Sequence, residues 1–141
     1  MRLYFDTSAL LKRYICEIGS ENVDNLFQSA TAIYISIIGQ IEAISCIRRL
    51  LLEKEIIPED YANLKDTILQ DFQFFNTIEL SGTILNSSID AIDKYQLKSL
   101  DSIHLATALT LRGQIDHFVS CDVKLLNAAK KEHIKTVHPN H

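Results

Sequence analysis

Five short apolar runs, spaced along the chain by segments of helical periodicity, constrain the fold most. Leu3-Tyr4-Phe5, Ile33-Tyr34-Ile35, Thr77-Ile78-Glu79-Leu80, His117-Phe118-Val119-Ser120 and Ile134-Lys135-Thr136-Val137 are too short for buried helices and have strand length. Between them lie helical patterns. Ala9, Leu10, Arg13 and Tyr14 suggest a short helix, and Ser20 can cap a second with Val23, Leu26, Phe27 and Ala30. Ile37, Ile41, Ile44, Ile47 and Leu51 recur on one helical face. Pro58 followed by Glu59 and Asp60 opens a helix whose inward face is Tyr61, Leu64, Ile68, Phe72 and Phe75. Ser81 caps a helix predicted to turn Leu85, Ile89 and Ile92 inward. Ser99 can cap the apolar segment Leu100 to Arg112, which Gly113 stops, and a last helix is expected from about Val123 to Glu132.

Strands alternating with helices predict a mostly parallel sheet covered on both faces, a three-layer α/β/α sandwich. At 141 residues the chain reads as one domain spanning 1–141. Cys16, Cys46 and Cys121 are odd in number and lack CxxC spacing, which predicts three reduced, mostly buried thiols. The five histidines show no paired-ligand spacing, and His138 and His141 fall in a tail expected to fray. With Asp6 so near the start and no apolar run of membrane length, the sequence predicts a cytoplasmic protein.

In such sheets, ligands bind beyond the carboxyl ends of the strands. Asp6 follows the first strand directly, and Asp122 leaves the fourth. Asp101 sits in the first turn of the apolar helix, and Glu42 lies about 100° around from Ile41 on the third helix. Each aspartate has a second reading. Asp6 and Asp122 can be helix N-caps, and Asp101 can serve a helix dipole. Glu42 has no capping role. Jointly, acids converging on one edge repel unless a cation neutralises them, and oxygen donors without His or Cys suit Mg²⁺ or Mn²⁺.

The same residues carry a resemblance. Asp6-Thr7-Ser8-Ala9-Leu10 resembles the opening of the PIN-domain nucleases, and Ser36, Glu42 and Arg48 resemble their second motif. Leu100-Asp101-Ser102-Ile103-His104-Leu105-Ala106-Thr107-Ala108-Leu109 is similar to the third. Phe118 through Leu126, ending in Ala128-Ala129, is similar to the fourth, with Ser120 where many members carry Thr. Length and motif order look most like VapC-type toxins of prokaryotic toxin–antitoxin pairs. The resemblance implies a five-stranded parallel sheet and an endoribonuclease dependent on one or two Mg²⁺ or Mn²⁺ ions. Asp6, Glu42, Asp101 and Asp122 would form its acidic site, with Asp6 and Asp101 holding the principal ion and Thr7 and Ser120 as supporting hydroxyls.

It also implies an RNA substrate, a cognate antitoxin and a homodimer. Lys12, Arg13, Arg48, Arg49 and Lys98 flank the motifs and are candidates for RNA phosphates, with solvated surface residues as the alternative for each. Candidate dimer surfaces are the helices bearing Val23, Leu26 and Phe27 and Tyr61 to Phe75, with core packing as the alternative for both. His104, three residues after Asp101, is expected to be a packed, hydrogen-bonded core residue rather than a general base. A PIN scaffold that only binds RNA or protein is the competing reading. A receiver domain would need a paired acid at the first strand, and an aspartate-nucleophile phosphatase an Asp at position 8, where Ser8 stands.

The net charge of −4 comes from 14 Lys+Arg against 18 Asp+Glu. Without the four candidate site acids, 14 acids face 14 bases, so the acidic balance does not exclude an RNA partner.

Overall fold

The computed structural model describes residues 1–141. Five parallel strands run β1 (Arg2–Phe5), β2 (Ala32–Ser36), β3 (Asn76–Ile78), β4 (His117–Val119) and β5 (Thr136–Val137). The sheet order is β3-β2-β1-β4-β5. The chain builds outward from β1 on one side, then crosses to build outward on the other. The topological switch point therefore lies between β1 and β4, in register from Leu3↔His117 to Phe5↔Val119.

Seven helices cover the sheet: α1 (Thr7–Leu11), α2 (Ser20–Ser29), α3 (Ile38–Leu52), α4 (Pro58–Phe74), α5 (Gly82–Tyr95), α6 (Ser99–Thr110) and α7 (Val123–Lys131). Strand periodicity divides the core in two. Leu3, Phe5, Ile35 and Val119 face α1 to α4, packing on Ala9, Leu10, Val23, Ala43, Ile47, Ile68 and Phe72. Tyr4 and Phe118 face α5, α6 and α7, packing on Ala91, Leu105, Ala108, Leu125 and Ala129. This is the three-layer α/β/α sandwich the alternation implies.

Local differences have physical causes. Gly19, with φ +95°, precedes α2 in a left-handed conformation that suits glycine, so Ser20 begins the helix rather than capping it. Strand β3 ends at Ile78, because Glu79 and Leu80 run past the sheet and are exposed. On α3 the inward residues are Ile38, Gly39, Ala43 and Ile47, whereas Ile41 is 72% exposed. On α5 the inward stripe is Ile84, Ser88 and Ala91, so Leu85, Ile89 and Ile92 point outward. One residue of phase separates the two stripes on α5, and the small Ser88 and Ala91 are the ones that fit beneath closely packed α6.

The candidate dimer helices pack inward instead. Val23, Ile68 and Phe72 are core, and Leu26, Phe27, Tyr61, Leu64 and Phe75 pack against them. The cysteines are free, but Cys16 is exposed and Cys46 and Cys121 are half-buried, so the thiols are less buried than expected. The C-terminal tail is docked rather than frayed. Pro139 is buried, its carbonyl accepts from Asn22 at 2.6 Å, and the His138 and His141 rings meet edge to face. No helix is long and apolar enough to cross a membrane.

Candidate active site

Asp6 leaves β1 at the switch point and caps α1, accepting the Ala9 N–H at 3.0 Å. Asp122 leaves β4 and caps α7, accepting the Leu125 N–H at 3.2 Å. The capping reading and the site reading are thus both met by the same side chains, since a strand-to-helix turn places an N-cap at the carboxyl edge of a parallel sheet. Asp101 stands in the first turn of α6, whose N-cap is Lys98. Glu42 projects from the second turn of α3. That helix starts close against β2 because Gly39 has no Cβ, which would meet Ile35 at 2.8 Å.

Two hydrogen-bonded groups hold these acids. In the first, Asp6 is 2% exposed and both of its oxygens accept hydrogen bonds. Ser120 Oγ donates to Oδ2 at 2.6 Å, and Ser8 Oγ lies 2.8 and 2.9 Å from the two oxygens. Ser120 also accepts the Asp122 N–H at 3.0 Å, tying the two strand ends together, and Ser8 accepts the Cys121 N–H at 3.2 Å. Ser8 was not singled out in the sequence. Its signal was there, as a hydroxyl two residues after an N-cap aspartate. In the second group, Thr7 Oγ1 donates to Glu42 Oε1 at 2.8 Å and His104 Nε2 lies 2.8 Å from the same oxygen. Thr7 therefore supports Glu42, its neighbour across the α1–α3 contact, rather than Asp6.

The charges separate by environment. Burial pushes the Asp6 carboxyl up, against the pull of His104, Ser120, Ala9 and Ser8. Burial also raises Asp101, and the charges of Asp122 and Asp6, with a smaller contribution from Glu42, raise it further. Glu42 is lowered. Burial opposes its ionisation, but hydrogen bonding and charge from His104 and the Thr7 hydrogen bond outweigh it. The edge thus carries four acids, and the one basic side chain hydrogen-bonded to any of them is His104, on Glu42.

This donor set fits a hard divalent cation: all oxygen, no thiolate, and the one imidazole turned to Glu42 rather than outward. No three acidic, histidine or cysteine side chains converge closely enough to grip one ion between them. Mg²⁺ asks for less, commonly one or two carboxylates with water completing its shell.

The basic candidates divide. Lys12 is 8% exposed, with its ammonium at 3.2 Å from Glu17 and bonded to the Ile18 carbonyl. Arg13 pairs with Asp71 at 3.3 Å and lies over the Phe27 ring. Both serve the fold. Arg48 lies over Tyr61, while Arg49 shares a surface cleft with Glu42, Ile41 and Leu100. Lys98 is exposed at the start of the helix that carries Asp101.

A five-stranded parallel α/β sandwich with acidic side chains at the strand exits of its switch point puts the chain among the open-sheet α/β proteins whose sites lie at the carboxyl ends of the strands. Within that class the PIN-domain profile matches residues 3–131, and the chain belongs to the PIN-domain family. Comparison with curated protein sequences finds no match. Among solved structures, the fold is similar to a toxin–antitoxin complex from Klebsiella pneumoniae (TM-score 0.72, 20% identity, 99% of this chain and 98% of that one). It is similar to FitAcB from Neisseria gonorrhoeae (TM-score 0.76, 17% identity, 99% of each chain). It is also similar to VapC20 of Mycobacterium tuberculosis, a sarcin–ricin-loop-cleaving toxin (TM-score 0.66, 11% identity, 89% of this chain and 94% of that one).

Proposed function

We propose that this PIN-domain chain is a Mg²⁺- or Mn²⁺-dependent endoribonuclease and the toxin of a type II toxin–antitoxin pair. The observation that carries the reading is the switch-point edge itself. Four acids from four separate segments line this edge: burial raises Asp6, burial and the charges of Asp122, Asp6 and Glu42 raise Asp101, and all but Asp101 are hydrogen-bonded in place. Folded proteins retain such unneutralised charge at functional sites more often than elsewhere.

Asp6 and Asp101 would hold the principal ion, with Glu42 and Asp122 completing the site. A divalent ion there supplies a polarised phosphoryl oxygen and an acidified water at neutral pH. The chain's own part is orientation. Ser8 and Ser120 fix the Asp6 carboxylate, and Asp122 is fixed by capping α7. Glu42 is kept ionised, with Oε1 occupied and Oε2 accepting no hydrogen bond, so Oε2 is the oxygen open to a water or an ion. Arg49, beside Glu42, and Lys98, beside Asp101, are placed to meet RNA phosphates, which position a substrate without reading its sequence.

The toxin–antitoxin neighbours support an antitoxin partner. For the homodimer, the exposed stripe Leu85, Ile89 and Ile92 on α5, rather than the helices expected from sequence, offers the apolar surface. The test is RNA cleavage with Mn²⁺, with chelator, and by Asp101→Asn. Cleavage abolished by both chelator and substitution is expected. Cleavage persisting in chelator, or RNA binding without any cleavage in Mn²⁺, would refute it.

A further inference from the structure

His104 is a buried titratable side chain, bonded to a candidate site acid, that the proposed chemistry leaves without a task. It is 1% exposed, and both ring nitrogens are engaged. Nδ1 lies 2.8 Å from the Tyr4 hydroxyl, and Nε2 lies 2.8 Å from Glu42 Oε1 and 3.2 Å from Thr7 Oγ1. A general base needs a nitrogen open to water or substrate, and this ring has none. Its packing points elsewhere.

The hydrogen positions follow from the partners. An ionised Glu42 carries no proton, so the hydrogen between it and the ring belongs to Nε2. The Thr7 hydroxyl donates to the same Oε1. Glu42 Oε1 therefore receives two donors and Oε2 none, which fixes the carboxylate with one chosen oxygen facing the acidic edge. The ring in turn is fixed from behind. Tyr4 meets it edge to face at 6.0 Å, and Tyr4 is itself stacked on Phe118 at 5.3 Å with planes 5° apart. Tyr4 and Phe118 are wholly buried on adjacent central strands. A rigid line thus runs from β4 through β1 and α6 to a carboxylate on α3.

We propose that His104 is a positioning residue: it braces Glu42 against Tyr4 and the central sheet, so that Glu42 Oε2 and Asp101, one turn away on the same helix as His104, are held in fixed relation for a divalent cation. The proposal rests on the reading of Glu42 as a site acid. Residues that orient ligands in this way commonly change metal affinity by about 10- to 100-fold when removed. Because the brace needs only an N–H donor at the Nε2 position, glutamine can replace the ring in part and leucine cannot.

The experiment measures Mn²⁺ affinity from the free-ion electron paramagnetic resonance signal. It compares the full chain with His104→Gln, His104→Leu, Tyr4→Phe and Glu42→Gln, each checked for cooperative melting. Expected are a loss of about 10-fold or more for His104→Leu and a loss within about 3-fold for His104→Gln. Tyr4→Phe, which keeps the ring but not its hydroxyl, should fall between them. If Glu42→Gln weakens Mn²⁺ binding while a folded His104→Leu does not, the brace is overturned and the acidic site stands. If Glu42→Gln leaves affinity unchanged, the site reading fails and the brace with it. A readout that needs neither metal nor variant is the long-range ¹H–¹⁵N spectrum of the His104 ring, expected to show a hydrogen on Nε2. A ring bare at Nε2 overturns the proposal even if His104→Leu does not fold.

Discussion

Ser120 offers the sharpest test of how the edge is built. Its hydroxyl donates to Asp6 Oδ2 at 2.6 Å and accepts the Asp122 N–H at 3.0 Å, in a residue with no exposed surface. Ser120→Ala deletes one hydrogen bond to a charged group, worth about 1.5–3 kcal/mol, and strands a backbone donor at a cost of about 1–3 kcal/mol. Ser8 remains beside both Asp6 oxygens, and relaxation at the partly buried Asp122 amide recovers some of the second cost, so a net loss of about 3 kcal/mol is expected. For a chain of 141 residues the unfolding entropy is about 0.3 kcal/mol per degree, which translates to a Tm lowered by about 10 °C. The assay is thermal melting in chelator, with urea denaturation to confirm that the slope m is unchanged. Ser120→Thr keeps the hydroxyl and should recover most of the loss. A Tm within about 2 °C of the parent for Ser120→Ala would refute the view that this hydroxyl couples the two strand exits.

Ile47→Ala, at a fully buried position, should cost about 2–5 kcal/mol in urea denaturation, whereas Ile41→Ala on the same helix should stay within about 0.5 kcal/mol; equal costs would mean the inward face of α3 is misassigned. Asp101→Asn removes a carboxylate whose ionisation is opposed by burial and by Asp122, Asp6 and Glu42. A raised carboxyl pKa penalises the folded state above its ordinary value, so the metal-free Tm at pH 7 should rise, with the gain vanishing as pH falls and the carboxyl protonates in both states. The same variant should lose the Mn²⁺-induced Tm increase, and a lowered metal-free Tm would sink the electrostatic account. Arg2 bonding through its guanidinium and backbone N–H holds Asp116 down at about 2, against an ordinary 3.8. A depressed carboxyl stabilises fully above its unfolded value and loses that contribution as pH falls through its folded one. The Tm gap between the parent and Asp116→Asn should therefore hold from pH 6 to about 4 and close toward pH 2, and a gap constant across that window would count against it.

The fold was legible because its signals are local and mutually consistent. Apolar runs of strand length, Pro58 at a helix start and Ser81 at an N-cap each specify an element without reference to the rest of the chain. The phase of α5 was not legible. Leu85, Ile89 and Ile92 form a cleaner apolar stripe than Ile84, Ser88 and Ala91, and hydrophobicity alone prefers it. The choice is made by the packing of α5 against α6, which takes the small Ser88 and Ala91 with Ile84 on the inward face, a constraint that no window along α5 contains. Ile41 on α3 fails for a related reason: the helix buries the phase that brings Gly39 against β2, and this carries Ile41 outward.

For the candidate site, Thr7 and Ser120 both bond to candidate acids as the sequence suggests, but which acid each one serves was not legible. Sequence placed Thr7 and Ser120 together as supporting hydroxyls; the structure gives Ser120 and Ser8 to Asp6, and Thr7 with His104 to Glu42. Chain neighbours at the start of a helix point in different directions, about 100° apart, so Thr7 and Ser8 cannot serve the same carboxylate. Pairing Thr7 with Glu42 requires the tertiary contact of α1 with α3, 35 residues apart. The role of His104 is further still from sequence, since its partners lie 100 and 62 residues away. What the sequence does contain is the element order that brings these partners together. A chain that grows outward from β1, then crosses to β4, leaves its first and fourth strand exits side by side, and any polar residues at those exits become neighbours. Topology alone makes neighbours of Asp6 and Asp122 at those two exits, whereas the groups that hold them depend on the direction in which each side chain leaves the backbone.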